Sequence, residues 1–406
     1  MTSLAPITEM RRTGRLRNGR DPMRIALVTE RFDGLAGGLE RWTAQLAAHL
    51  LQRGHEVHVV TFAEANHALP VVLHVLDHKR SVLARGQAVE ACLERLRPDI
   101  AHDTGSGWSG DVFHPQTGSH LSSLDRFIAA HDAVRRMMAG LSPSMALRRW
   151  RMAKLEVLQA SMARHVIAVS HRIARDLADR HGVPESFISV IPNGVETARF
   201  APPRLARFRD ATRRTLGVGD SVVFLGAAYN LRLKGMDTAI RALAAMRATG
   251  ADVRLVVAGG KPNGYWDRLI GGLGLQDRVH MLGPVEDMAP LFAAADVYVH
   301  PTRWDACSLS TIEAGAAALP VITTAINGAS ELIEHGRTGF VLSDPEDVGA
   351  LAACMQRLLD ADVRRSIGQA ALKASKAHDI QTNLGLVEAV LMDAAALQMS
   401  QYCQAV

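Results

Sequence analysis

Two carboxylates, Asp305 and Glu313, bracket a run of hydroxyl residues at Ser308, Ser310 and Thr311. The surrounding stretch reads R-W-D-A-C-S-L-S-T-I-E-A-G-A-A-A-L-P-V-I-T-T-A-I-N from Arg303 to Asn327. Its pattern predicts a strand over 297–300, a loop holding Asp305, a small-residue helix opening at Ser308, and a strand restarted by Pro320 and Val321-Ile322-Thr323. A loop at the carboxyl end of a parallel strand, feeding a helix N-terminus, offers unpaired amides and positive dipole potential to a phosphate. Ser308, Leu309 and Ser310 are therefore candidate phosphate ligands. Acids on either side suit a ligand with hydroxyls flanking its phosphate, such as a nucleoside diphosphate sugar. The competing reading is an ordinary strand-helix-strand unit whose acids cap and solvate a helix.

Other residues add to this picture. Arg232 and Lys234 stand just before a helix expected from about Met236 to Ala248, so the fork of one, the point charge of the other and the helix amides can converge on a diphosphate. A solvated loop is the alternative for so short a motif. Gly37 and Gly38 open the first expected helix, where absent side chains let a ligand approach the backbone, or serve packing alone. His114 ends a short expected strand, 112–115; an imidazole facing a cleft there donates to a sugar hydroxyl or shuttles a proton, with His120 as competitor and a structural histidine as the plain alternative.

The elements that must position these groups alternate strand and helix twice. Strands are expected at 24–29, 56–62, 166–170 and 188–191, with Pro98-Asp99-Ile100 leading another, then at 222–227, 254–258, 279–282 and 297–300. Helices are expected at 85–96, 171–181, 287–295, 345–359, 363–378 and about 383–396, and the run from Phe200 to Thr215 reads as a connection. The 406 residues suffice for two domains, each with its own core, and 48% hydrophobic against 5% aromatic content reads as α/β. The domains are placed at 23–197 and 198–382. Residues 1–22, with five arginines, read as a flexible basic leader before Met23, which is a candidate start. Gly105, Gly107 and Gly110 match G-x-G-x-x-G but follow the wrong strand for a dinucleotide fingerprint, so a flexible loop over the cleft is expected.

Four scattered cysteines make neither a zinc pattern nor a disulfide framework, which favours a reducing cytoplasm. No run of 18 apolar residues predicts a transmembrane helix. The acid-free segment 133–155 interleaves Arg135, Arg136, Arg148, Arg149, Arg151 and Lys154 with methionines, leucines and Trp150. It fits an anionic bilayer surface, an anionic acceptor such as a phosphorylated glycolipid, or a solvated helical face. One tryptophan gives no stacking platform, so nucleic acid is not expected.

The D-x7-E spacing of Asp305 and Glu313 and the L-P-V-I-T to T-G-F run at 319–340 resemble the signature of the family-4 retaining glycosyltransferases. I-P-N-G-V-E-T-A-R-F, at 191–200, resembles the segment that ends their N-terminal domain. The usual motif is E-x7-E, so Asp305 is one methylene short. The resemblance spans about 23–400 and implies a GT-B fold, two Rossmann-like doubly wound domains facing one cleft, with the last helix, about 383–406, crossing back. It implies retaining transfer of a hexose from a UDP- or GDP-sugar, with no cofactor and no obligatory metal. Glu313 then holds the ribose and Asp305 lies near the transferred sugar. Arg232 and Lys234 neutralise the leaving diphosphate, Gly37 and Gly38 face the phosphates, His114 lies near the sugar, and Ser330-Glu331 forms a loop beneath the donor. The closest branch builds lipopolysaccharide core and related envelope glycolipids, implying a peripheral place at the cytoplasmic face of the inner membrane. Exopolysaccharide or small-molecule acceptors, a nucleotide-sugar epimerase and a non-catalytic binder are the alternatives.

Overall fold

The computed structural model describes residues 22–34, 37–63, 68–78, 81–131 and 133–404. The expected leader, Pro22 apart, lies outside the described residues. Runs such as Ile25-Ala26-Leu27-Val28 and Val297-Tyr298-Val299 are buried along their whole length, the mark of parallel strands covered on both faces. They build two sheets, parallel throughout. The first comprises β1 (Arg24–Val28), β2 (Glu56–Thr61), β3 (Val72–Val75), β4 (Ile100–Asp103), β5 (Val112–Phe113), β6 (His165–Ala168) and β7 (Ile188–Val190), in the order β3-β2-β1-β4-β5-β6-β7. The second comprises β8 (Val222–Ala228), β9 (Val253–Gly259), β10 (Val279–Gly283), β11 (Val297–His300), β12 (Val321–Thr324) and β13 (Gly339–Leu342), in the order β10-β9-β8-β11-β12-β13.

The strand order reverses between β1 and β4 in one sheet and between β8 and β11 in the other. Ligands bind doubly wound sheets in the crevice outside the carboxyl ends of the strands at such switch points. In the second sheet the two loops there are 229–235, with Arg232 and Lys234, and 301–308, with Arg303 and Asp305. The halves meet across these loops. Ser170 Oγ donates to the Ala306 carbonyl at 3.0 Å and Asn193 Nδ2 to the Cys307 carbonyl at 2.8 Å. One apolar cluster takes Phe113, Val166 and Ile173 from the first half and Leu233, Trp304 and Ile312 from the second.

The chain crosses back at its end. In the Ile380–Gln404 helix, Leu384, Val387 and Leu391 enter the first core beside Ile25 and Leu27. Asn383 Oδ1 accepts from Trp42 Nε1 at 2.7 Å, and Glu388 meets His49 Nε2 at 2.8 Å and Arg53 Nε at 3.0 Å. By length and composition alone its Ile380–Leu397 segment is apolar enough to cross a membrane, which the simple count of apolar residues missed. Its buried leucines explain that composition as core packing.

Two local expectations change. Most of the expected connection after Phe200 is the Pro202–Leu216 helix. Its arginines, read as linker composition, are anchors: Arg209 and Arg213 donate to the carbonyls of Ala293, Ala295 and Ala294 and pair with Asp296. The glycine loop after β4 is pinned rather than flexible. The buried Asp103 carboxylate accepts the amides of Gly105, Ser106 and Gly107, each at 2.8 Å, while Gln159 Nε2 donates to the Gly105 and Gly107 carbonyls. Burial raises Asp103 to about 6 despite those three amides.

Candidate functional site

At the end of β11 the chain turns through Thr302–Ser308 into the Leu309–Ala316 helix. Ser308 is its N-cap, its Oγ accepting the Thr311 amide at 3.3 Å, and its own amide is taken by Asn327 Oδ1 at 3.2 Å. The serine side chains are the end of a polar chain through the site. Tyr298 OH donates to Ser310 Oγ at 2.6 Å, Ser310 Oγ lies 3.0 Å from Ser308 Oγ, and Tyr298 OH lies 3.4 Å from His300 Nδ1. On its other side His300 Nε2 reaches Asp305 Oδ2 at 3.2 Å.

Asp305 completes a charged knot. Lys234 Nζ stands 2.5 Å from its Oδ2 and also donates to the Trp304 carbonyl at 2.9 Å. Burial alone would raise this carboxyl. The Lys234 charge and the His300 hydrogen bond outweigh burial and hold it well below the usual carboxylate range. An ionised Asp305 can only accept, so His300 Nε2 carries the proton. Burial, partly offset by Asp305, lowers His300 and keeps its ring neutral.

Glu313 sits about one turn into the same helix and lines a pocket with Gly38, Arg41, Gln45, Glu196, Arg199 and Leu309. Burial pushes its carboxyl up to about 7 against the pull of Arg41 and Arg199. A Cβ on Gly38 would lie 2.4 Å from Leu309 Cδ1, so this glycine lets the first helix of one half abut the site helix of the other. Gly37 precedes it as the N-cap residue of that helix.

The two cations of the 229–235 loop do not converge. Lys234 is engaged by Asp305, whereas Arg232 lies over the Tyr265 ring at 3.7 Å and donates from Nη1 to the Ala130 carbonyl at 3.2 Å. Side chains two residues apart on a turn leave in different directions, and Arg232 lines a separate cleft. Arg303 underpins the loop: its guanidinium pairs with Asp237 at 2.7 and 3.1 Å, with Glu346, and with the Arg232 carbonyl.

His114 does not face the cleft; it is 1% exposed. β5 ends inside the sheet, so the ring is covered by Trp42 edge-on at 5.0 Å and its Nδ1 lies 3.1 Å from His102 Nε2. Burial lowers both histidines, His102 to about 3, so the pair is neutral. His114 Nε2 has no partner among the described residues. His120 is half-buried and lines a small cavity with Gly118, Ser119, Glu156 and His181. The Ser330-Glu331 loop clamps the two halves: Glu331 accepts the His171 and Arg172 amides at 2.7 and 2.8 Å and caps the His171–His181 helix of the other half.

The basic segment forms the Ala133–Leu141 and Pro143–Met162 helices. Arg136, Arg148 and Arg149 are exposed, Arg151 is half-buried, and the Arg135 side chain lies outside the described residues. Met137, Met138, Leu141 and Trp150 are 61, 63, 76 and 56% exposed, so this face is both basic and apolar. Arg149 is held by Asp125 at 2.6 Å. Among the described residues no three His, Cys, Asp or Glu side chains converge as metal ligands.

The sequence reading passed over His300, Tyr298 and Arg303. A histidine and a tyrosine at alternate positions of an otherwise apolar strand were the available signal; nothing local pointed to the partners of Arg303.

Comparison with known proteins matches residues 36–199 to a model described as glycosyltransferase family 4 and residues 219–361 to one described as glycosyl transferases group 1. The chain is 32% identical over 368 residues to a D-inositol 3-phosphate glycosyltransferase of Xylanimonas cellulosilytica, covering 82% of this chain and 86% of that one. It is 28% identical over 380 residues to a GDP-mannose-dependent alpha-(1-6)-phosphatidylinositol monomannoside mannosyltransferase of Mycobacterium tuberculosis, covering 86 and 92%. WaaG, a glycosyltransferase involved in lipopolysaccharide biosynthesis, shares the fold at a TM-score of 0.73 and 20% identity, over 90% of this chain and 99% of that one.

Proposed function

The chain belongs to the group 1, family 4 glycosyltransferases, enzymes of GT-B fold that move a sugar from a nucleotide-sugar donor, and we propose that it transfers a hexose, with retention, to a phosphate-bearing glycolipid of the cell envelope. The observation that carries the donor half is the meeting of Lys234, Asp305 and the Ser308 helix start at one switch point, with Glu313 one turn along the same helix. In this reading the diphosphate lies on the amides of Leu309 and Ser310, and Glu313 accepts from the ribose hydroxyls. As the bond from sugar to phosphate breaks, charge gathers on the departing oxygen, and Lys234 and the amides stabilise it electrostatically. Asp305 presents its carboxylate to the transferred sugar. The acceptor hydroxyl attacks from the face the diphosphate leaves and gives its proton to the departing phosphate oxygen, which retains the configuration. Lys234 and the helix amides carry the leaving-group charge, so the reading requires no metal.

The acceptor half rests on the exposed face of segment 133–162 and on the relatives, two of which are named for inositol phosphate or phosphatidylinositol acceptors. Lipopolysaccharide core, with its phosphorylated sugars, is the acceptor suggested by the sequence motifs. The basic, apolar face would hold the enzyme at the cytoplasmic surface of the inner membrane. Arg136→Glu with Arg148→Glu is expected to weaken binding to anionic vesicles at least tenfold, at roughly 1 kcal/mol per cation; unchanged flotation would return this face to simple solvation.

Thermal stability against UDP-, GDP-, ADP- and CMP-sugars tests the donor. One base series is expected to stabilise the protein, by about 2.7 kcal/mol at 100 times its dissociation constant. Glu313→Ala is expected to cut nucleotide affinity by about 1 to 3 kcal/mol. The effect has a pH signature. A carboxyl raised to about 7 in the fold favours the protonated form, so its contribution to the free protein is present below the ordinary glutamate pKa and lost as pH rises through 7. Ribose hydroxyls prefer the ionised acceptor, so the ligand-induced shift should grow between pH 6 and 8, and Glu313→Gln should flatten it. A flat wild-type profile, or unchanged affinity in Glu313→Ala, would remove Glu313 from the site.

A further inference from the structure

A second cleft, of about 610 Å³, opens between the two halves, and none of Lys234, Asp305, Ser308, Ser310 or Glu313 lines it. The first half contributes Phe127 and His131 from the end of the His120–Ala129 helix. The second contributes Tyr229 and Arg232 from the loop after β8, and Lys261, Tyr265 and Arg268 from the loop and helix after β9. Among the described residues no acidic side chain lines it, against three permanent cations and a histidine. Among the described residues neither Lys261 nor Arg268 is within ion-pair reach of a carboxylate, and both are exposed.

The inner wall is built. Arg232 is fixed between the Tyr265 ring and the Ala130 carbonyl, so its planar fork has little freedom to lose on binding. His131 Nδ1 lies 2.9 Å from the Phe127 carbonyl. A carbonyl only accepts, so that nitrogen carries the proton and Nε2 is left for a ligand. The ring also stands edge-on to Phe127 at 4.7 Å. Uncompensated cations in a concave site concentrate an anion, and guanidinium and ammonium donors suit the oxygens of a phosphate ester.

We propose that this cleft is an anion subsite that takes the phosphate ester of the acceptor, with Arg232 as its inner ligand and Lys261, Arg268 and His131 at its rim. The inference rests on the reading of the acceptor as phosphate-bearing. It gives Arg232 a partner other than the donor diphosphate, in keeping with its separation from Lys234. It also joins acceptor binding to the membrane face, because the chain runs from His131 almost directly into the helix that exposes Met137, Met138 and Leu141.

The test is calorimetry on the full chain with myo-inositol 1-phosphate as a soluble phosphate ester, neutral myo-inositol as control, and UDP and GDP in parallel. Vesicles of phosphatidylcholine with and without phosphatidylinositol form a second arm. Lys261→Ala with Arg268→Ala, both exposed and outside the donor site, should weaken ester binding by about tenfold or more and leave nucleotide affinity within about twofold. Selective loss with the soluble ester, with the phosphatidylinositol vesicles, or with both supports the subsite and names the source of the phosphate. Equal ester affinity in the variant overturns it, as does an equal loss of nucleotide affinity, which would fold the cleft into the donor site. A wild-type protein that binds nucleotide but no ester in either arm also overturns it, whereas one that binds no nucleotide overturns the donor reading itself.

Discussion

Lys234→Met lowers kcat by about 100- to 1,000-fold, the loss expected when one fixed donor to developing negative charge is removed, equivalent to about 2.7 to 4 kcal/mol. Lys234 is tied to the loop that leads into the Leu309–Ala316 helix, where the departing diphosphate would lie, its Nζ already fixed by Asp305 and the Trp304 carbonyl. The variant also loses stability, because Asp305 keeps a largely buried charge and retains only His300. Removing one partner of a buried pair costs about 3 to 5 kcal/mol, and the residual exposure of both side chains brings the expectation toward the lower end. The two losses separate in the double variant Lys234→Met with Asp305→Asn. Its stability should largely return, since no unpaired charge remains, while its kcat stays low. A double variant that recovered kcat would show that Lys234 acts only by neutralising Asp305. The stability gap should narrow in acid: a carboxyl depressed in the fold contributes fully above its ordinary pKa, begins to lose that contribution below about pH 4, and loses all of it only as pH falls through its depressed folded value.

How much of this site is legible in the sequence depends on how local its cause is. Apolar runs alternating with helices give the two doubly wound sheets, and Val297–His300, followed by a helix with a hydroxyl start, places Asp305, Ser308 and Glu313 at one strand end. β3, four half-exposed residues at a sheet edge, carries too weak a pattern to find. The direction of a side chain on a turn is not encoded in spacing, so Arg232 and Lys234 look like one phosphate clamp and are two separate sites. His114 looks like a cleft histidine at a strand end, yet Trp42 from a helix 72 positions earlier covers it. Glu331 caps a helix 160 positions away. Such long-range pairings become visible only once the two halves close on each other.

Another long-range pairing is that of Arg303 with Asp237, and Arg303→Met is expected to lower the melting temperature of the second half by roughly 10 °C. The guanidinium is 6% exposed, as is Asp237, its bidentate partner, and it also meets Glu346 and the Arg232 carbonyl. Burial would raise Asp237, and Arg303 offsets this and holds the carboxyl low. Methionine fills the volume and supplies no charge. Asp237 is then left with Arg241 at 3.0 Å, a partner whose side chain is 41% exposed and worth correspondingly little. A loss of about 3 to 5 kcal/mol follows, and at about 2 to 4 °C per kcal/mol for a unit of this size it gives the stated shift. Arg303→Lys should fall between, since an ammonium keeps the charge but cannot span Asp237, Glu346 and the carbonyl at once. Adding Asp237→Leu to Arg303→Met should recover much of the stability by removing the stranded carboxylate. Activity is expected to fall further than stability and not to return in that double variant. The Arg303 amide donates to the Leu233 carbonyl at 2.8 Å and its side chain to that of Arg232, so the residue sets the turn from which Lys234 and Arg232 part. A shift of less than about 2 °C in Arg303→Met would mean that Arg241 and water suffice for Asp237, and the loop would then owe its shape to the apolar contacts of Leu231 and Leu233 instead.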